Sequence, residues 1–207
     1  MTPVTVTPEI PGPDALSEAA DVLSVLLGTI HPIRSDEAED ALETLRLLLG
    51  DSRIPMTLLD PGTFEKVWNE QAFVFLQGQR ISLEESVYKF WTSETAHPLS
   101  NVKGLSWGDP ATHMIELFDG FGLQLSDPRV LSPDHLSVLL GFLSFLMRTR
   151  PVDEARVFCA DHMDWLNELM ETVRDHEAPE CLLLAINATQ SLVRCAAAGY
   201  KEICNGR

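Results

Sequence analysis

A chain of 207 residues and 23.0 kDa, 45% of them hydrophobic, is long enough for one domain with a sizeable core. Its 31 acidic residues against 15 basic ones leave a net charge of −16, which disfavours nucleic acid and anionic membrane surfaces as partners and would steer a basic ligand toward the protein. Leu-rich runs recur at helical spacing and alternating β-branched segments are nearly absent, so the composition argues against a sheet and predicts an all-α, single-domain helical bundle.

Residues 1–13, MTPVTVTPEIPGP, have no periodic apolar face, which predicts a mobile tail ahead of an all-helical domain over 14–207. They carry neither a basic n-region nor an apolar h-region, and a cytoplasmic location is the expectation. Asp14 then caps a helix whose apolar face is Leu16, Ala19, Leu23, Leu26, Leu27 and Ile30, ended by Pro32. Ser35 or Asp36 starts the next, with Leu42, Leu45, Leu48 and Leu49 on one side and Gly50 as the stop. Asp36, Glu37, Glu39, Asp40 and Glu43 on its other side have no His or Cys among them and read as a solvated face. Thr63 begins a third helix carrying Phe64, Val67, Trp68, Gln71, Ala72 and Phe75.

From Gln77 to Gly108 no periodic stretch exceeds about three turns, and Tyr88, Trp91 and Trp107 are set among polar residues. A loop of this length inside a compact domain is usually functional, and its aromatic content argues against disorder. Asp109 and Pro110 form a cap and first turn for a helix through Phe121, with Gly122 after it. In Ser132 to Thr149, Ser132 is a good N-cap and Pro133 fits the first helical position, which places Asp134 and His135 in the first turn. The apolar wall from Leu136 to Met147 falls well short of the roughly 20 residues a bilayer needs, so this is a core helix and not a membrane span. Asp153 starts a helix carrying Phe158, His162, Trp165, Leu166, Leu169 and Val173, and Pro179 opens the last, ending before Gly199. Cys159, Cys181, Cys195 and Cys204 sit in or beside helical patterns and read as free thiols.

The sequence contains no phosphate-binding GxxxxGK[ST]. Zinc needs three or four convergent ligands, and the only close pair, Cys159 with His162, reads as a core thiol beside a surface histidine. Glu94 and His97 have the spacing of a di-iron pair, but Pro98 points to a loop. Asp134 and His135 are adjacent, and in a helix their side chains diverge by roughly 100°, so they are not a simple dyad. No catalytic residue, metal ligand or cofactor of the protein's own is expected. A helical metal enzyme or hydrolase using Asp134, His135 and His162 stays open as an alternative, as does a generic acidic adaptor.

With Glu85-Ser86-Val87-Tyr88 and Pro133-Asp134-His135-Leu136 both in view, the chain resembles the TorD/DmsD/NarJ family of redox-enzyme maturation chaperones. WNEQAFVFLQGQRISLEESVY is similar to that family's passage from a helix into an ESVY-type sequence, SPDHLSVLLGFLSFL to its PDHL helix, and FCADHMDWLNEL to a later segment with a His and a Trp three residues apart. These run from about Trp68 to Trp165. The link before Glu85 reads RISLE where the family is more proline-rich, and residues 1–60 match only as amphipathic helices.

The resemblance implies an all-helical, non-catalytic cytoplasmic chaperone for the precursor of a molybdenum- or tungsten-cofactor oxidoreductase, binding its twin-arginine signal peptide until the cofactor is in place. Two guanidinium groups followed by an apolar stretch require carboxylates beside an apolar groove. On this reading Tyr88, Trp91 and Trp107 line the groove, Asp134 and secondarily Glu85 face the arginines, and His135 donates to the peptide or holds the loop. The structural alternative makes Ser86 and Tyr88 loop anchors against the central helix, Pro133 a helix-start residue, and Trp91 and Trp107 core filling. A NarJ-like chaperone for a catalytic subunit that is not exported is the alternative within the family. Monomer and homodimer are both open, because a long loop between helices also permits domain swapping.

Overall fold

The protein is described by a computed structural model covering residues 11–28, 31–78, 81–125 and 131–199. The expectations for residues 1–10, Ile30 and Cys204 lie outside these. The described residues are helical with no strand, as the composition predicts. In chain order come α1 (Pro13–Gly28), α2 (Ser35–Leu49), α3 (Pro61–Val67), a π-helical turn (Trp68–Phe73), α4 (Val74–Gln77), α5 (Glu85–Tyr88), α6 (Asp109–Phe121), α7 (Leu136–Thr149), α8 (Val152–His162), α9 (Leu166–Asp175) and α10 (Glu180–Ala197). No helix among them is long and apolar enough to cross a membrane.

The centre of the bundle is the antiparallel pair of α1 and α7, whose mutual contact is the most extensive of any two helices. Small residues let the two backbones come close. Gly141 of α7 lies opposite Ser24, and a Cβ on Gly28 would fall 2.2 Å from Ser137 Oγ. The serines along this seam spend their hydroxyls on the neighbouring backbone: Ser24 Oγ donates to Ser137 O at 2.8 Å and Ser144 Oγ to Ser17 O at 3.0 Å. Around them Leu16, Leu23, Leu136, Leu139, Leu140 and Leu143 are fully buried, each stabilising the fold by about 1.5–3 kcal/mol over an exposed position. α10 closes the bundle against α1, α2, α8 and α9.

Local signals set several boundaries. α2 ends at Gly50 (φ 79°), and α6 is stopped by Gly122 in the left-handed region (φ 66°), where glycine carries no Cβ penalty. Pro110 sits in the first turn of α6, as its missing N–H allows.

Three expectations are corrected. α7 begins at Leu136 and not after Ser132; its N-cap is His135, whose Nδ1 accepts the Ser137 N–H at 3.2 Å, and Pro133 and Asp134 lie in the turn before it. The helix predicted from Asp153 through Val173 is two helices. α8 ends at His162 because side chains take its last carbonyls: Trp165 Nε1–H donates to His162 O at 2.8 Å, and Lys89 Nζ to Asp161 O at 2.6 Å. The segment 81–108 is not wholly irregular, since Glu85–Tyr88 forms the short helix α5. Cys159, Cys181 and Cys195 are free thiols; burial pushes Cys159 up to about 12 and Cys181 to about 11, which makes both poor nucleophiles.

Candidate functional site

The two four-residue stretches that carry the family resemblance meet in space. Glu85 N–H donates to Asp134 O at 3.0 Å and Leu136 N–H to Leu83 O at 2.7 Å, an antiparallel bridge that pairs Glu84 with His135. Asp134 is fully buried. One carboxylate oxygen, Oδ2, accepts the Ser86 N–H at 2.8 Å and the Ser86 hydroxyl, while Oδ1 accepts Ser132 Oγ–H at 2.5 Å. A four-residue helix does not nucleate by itself. Here Asp134 supplies the cap for α5 from across the fold. Ser86 Oγ in turn accepts the Gly108 N–H at 3.0 Å, so the same cluster ties down the far end of the segment. Gly108 is needed there because an added Cβ would lie 2.5 Å from the backbone oxygen of Trp91.

Asp134 therefore does not face a ligand's arginines. It has no surface to offer, and both oxygens are occupied. Ser86 is itself fully buried, bonded to Asp134 on one side and Gly108 on the other. His135 is partly buried, and burial pushes its imidazole down to about 4 despite the neighbouring Asp134 charge. The neutral ring is what the N-cap role requires, since Nδ1 must accept. Pro133 is buried in the turn before α7.

On the outer side of α5 lies a cleft of about 1020 Å³ lined by α5, the 90–103 stretch, the start of α6 and the α8–α9 corner. Glu85 and Tyr88 form part of its wall. Tyr88 stacks on Trp165 with ring centres 5.0 Å apart, and its hydroxyl donates to Ser82 O at 2.8 Å. Trp91 and Trp107 are not in the wall. Trp91 is half-buried, stacked on His97 and donating from Nε1 to Ser106 O at 3.1 Å. Trp107 is 52% exposed at φ 61°, which contradicts core filling.

At the cleft floor, Glu85 accepts from Lys89 Nζ at 2.8 Å on one oxygen and from His162 Nδ1–H at 2.8 Å on the other. The Lys89 ammonium also reaches Asp164 at 2.7 Å. Burial alone would lower the Lys89 pKa, but the bonds to Asp164 and Glu85 outweigh it and hold the group above its ordinary value. His162 is buried and not on the surface as its spacing from Cys159 had indicated. Its Nε2 meets His113 Nδ1 at 3.0 Å, with the rings stacked. A buried carboxylate costs several kcal/mol to desolvate unless its lone pairs are filled. Lys89 and His162 fill those of Glu85.

On the other side of the two histidines lies an apolar pocket of about 350 Å³ between α6, α7 and α8. Leu117, Phe121, Phe142, Leu146, Val157 and Phe158 line it, with Asp153, Glu154 and Asp161 at its rim. Phe142 is the hub of the phenylalanine cluster, packing against Phe121 at 5.5 Å and Phe158 at 5.1 Å. His113, Asp161 and His162 belong to both spaces. Lys89, His113, Asp161 and Asp164 were not singled out from the sequence. The Glu85–Lys89 spacing of four, which stacks two side chains on one helical turn, is the signal that would have found Lys89.

The helical bundle thus sets a carboxylate-rich cleft beside an aromatic pocket. Among the described residues no group of three or more His, Cys, Asp or Glu side chains is placed to hold a metal ion. The sequence profile of the nitrate reductase delta subunit family matches residues 65–179, more than half the chain and the part that builds both spaces. The chain belongs to that family, the NarJ side of the resemblance, a family of redox-enzyme maturation chaperones for molybdoenzymes and not of catalysts. The match does not single out the TorD or DmsD members. Searches among curated proteins and solved structures returned no match.

Proposed function

We propose that this protein is a cytoplasmic assembly chaperone that grips an N-terminal peptide of a molybdenum- or tungsten-cofactor oxidoreductase and holds the precursor while its cofactor is inserted. The observation that carries the reading is that the two spaces adjoin, sharing His113, Asp161 and His162 as lining. A cleft walled by Glu85, Asp161, Asp164 and Glu168 lies beside a pocket walled by Phe121, Phe142 and Phe158. A twin-arginine signal peptide has that order of chemistry, cationic groups and then an apolar helix-prone stretch. The clasp of Asp134 and Ser86 serves this by holding α5, and with it Glu85 and Tyr88, as a fixed wall.

The family match supports a second reading equally well, in which the client is a catalytic subunit that is not exported and its N-terminal helix lacks the arginine pair. Calorimetric titration separates the two. The titrants are a twin-arginine signal peptide from a molybdoenzyme encoded near this gene, the same peptide with both arginines changed to alanine, and the N-terminal helix of a non-exported catalytic subunit. Binding of the first that is lost in the second supports the export reading. Binding of the third alone moves the client to the non-exported class, and binding of none rejects the peptide-grip reading.

A further inference from the structure

We propose that Asp161 is the residue that reads a basic side chain at the junction of the cleft and the apolar pocket, selecting helical peptides in which an arginine immediately precedes the apolar face. This rests on the peptide-binding reading above and assigns its specificity to one carboxylate. Four carboxylates other than Asp161 border the cleft, and each is engaged, as is Glu154 at the rim of the pocket. Glu85 is held by Lys89 and His162, Asp164 by Lys89, Glu168 by Lys103 at 2.9 Å, Asp109 by Ser93 N–H at 2.7 Å, and Glu154 at the pocket rim by Arg150 at 2.8 Å. Asp153 also borders the pocket but is 81% exposed and reaches Arg156 only at 3.5 Å. Asp161 is exposed, its carboxylate meets no cation among the described residues, and it alone of the carboxylates borders both spaces.

Its placement favours a cation further. Asp161 lies in the last turn of α8, where the negative end of the helix dipole adds to its charge. Its own carbonyl is pinned by Lys89, so the side chain projects from a fixed backbone. Lys89 does not cancel the field, because its single charge is shared between Glu85 and Asp164. Across the junction, His113 presents an exposed ring and the Phe142–Phe158 wall begins. An arginine set against Asp161 would place the next turns of an amphipathic helix over Val157 and Phe121.

The test uses the full chain and two synthetic peptides, one with an arginine at the head of a Leu/Ala-rich helix and one with that arginine changed to alanine. Affinities are measured for the wild type, Asp161→Asn, Asp161→Glu and Val157→Asn. The expected result is that Asp161→Asn weakens the arginine peptide about tenfold or more and leaves the alanine peptide unchanged. Asp161→Glu should recover most of that loss, while Val157→Asn should weaken both peptides alike. Equal affinities of Asp161→Asn and wild type for the arginine peptide, or an equal loss with both peptides, would overturn the assignment while leaving the groove in place. Wild type that binds neither peptide removes the groove reading itself and the assignment with it.

Discussion

The α1–α7 seam and the clasp at the head of α7 both bury polar side chains, and they do so for opposite ends. Along the seam the polar groups are neutral serines that donate to carbonyls of the neighbouring helix. They are small, they bond straight across the seam to the facing backbone, and they allow close approach of two backbones. In the clasp and the cleft floor the buried groups are charged or ionisable: Asp134, Glu85 and His162. These groups need several partners at once, among them ones distant in sequence, such as Ser86 for Asp134, 48 positions away, and Glu85 for His162, 77 away. The first pattern sets how tightly two helices pack. The second fixes a segment with little periodicity of its own into one shape, which is what a binding wall requires.

If the contrast is right, damage to the seam should cost stability without altering selectivity. Leu140 on α7 is fully buried, and Leu140→Ala should cost about 3–4 kcal/mol from lost transfer energy and a residual cavity. Urea unfolding measures it, and peptide affinity of the folded fraction should not change. Asp134→Ala should cost less, about 2–3 kcal/mol, because it strands the Ser86 N–H and the Ser132 hydroxyl. Its larger effect should be on binding, since α5 loses its cap. A faster hydrogen exchange confined to residues 85–108 is the expected sign, and uniform exchange across the bundle would erase the distinction.

The pH dependence sharpens the same contrast. His135 is held neutral in the fold, its pKa pushed from 6.5 down to about 4 by burial. The unfolded chain therefore takes up this proton first, and the associated stability is fully present above about pH 6.5 and is lost as the pH falls toward 4. His135→Asn keeps an oxygen able to accept the Ser137 N–H and has no such proton to gain. It should match wild type near neutrality and exceed it by about 1–2 kcal/mol near pH 4.5, after allowance for the ring's partial exposure. Parallel pH profiles for the two proteins would show that the cap tolerates the imidazolium.

What was legible in the sequence follows the same division. Elements governed by near neighbours were readable: α2 from its apolar stripe and Gly50, α6 from Asp109-Pro110 and Gly122, and the core character of α7 from its unbroken apolar wall. The start of α7 was not, because Ser132 and Pro133 have the local chemistry of a helix start but the backbone of Leu83 and Glu85 claims Asp134 and Leu136 instead. The α8–α9 break depends on Lys89 reaching Asp161 O from a distant loop. His162 had a usable signal, since Phe158 four residues earlier puts it on the buried face, yet the partner that makes burial tolerable, Glu85, is visible only in the fold. The resemblance brought forward the two stretches that form the clasp. It also suggested Asp134 and the tryptophans as ligand contacts, and short motifs cannot distinguish a residue that touches a ligand from one that holds the wall.

The smallest expected effect makes that distinction for Trp107. Its side chain is half exposed, lies outside both spaces, and sits at φ 61°, a conformation that costs a residue with a Cβ about 1 kcal/mol. Trp107→Gly relieves that strain but adds backbone freedom to the unfolded chain, an opposing effect of about 0.5–1 kcal/mol, so stability should stay within about 0.5 kcal/mol of wild type. Peptide affinity should be unchanged, in contrast to Asp161→Asn. A tenfold loss of affinity with unchanged stability would instead put Trp107 in the ligand wall. The binding surface would then extend from the cleft across the outer face of the 90–107 stretch, where Phe90 and Leu105 are also exposed.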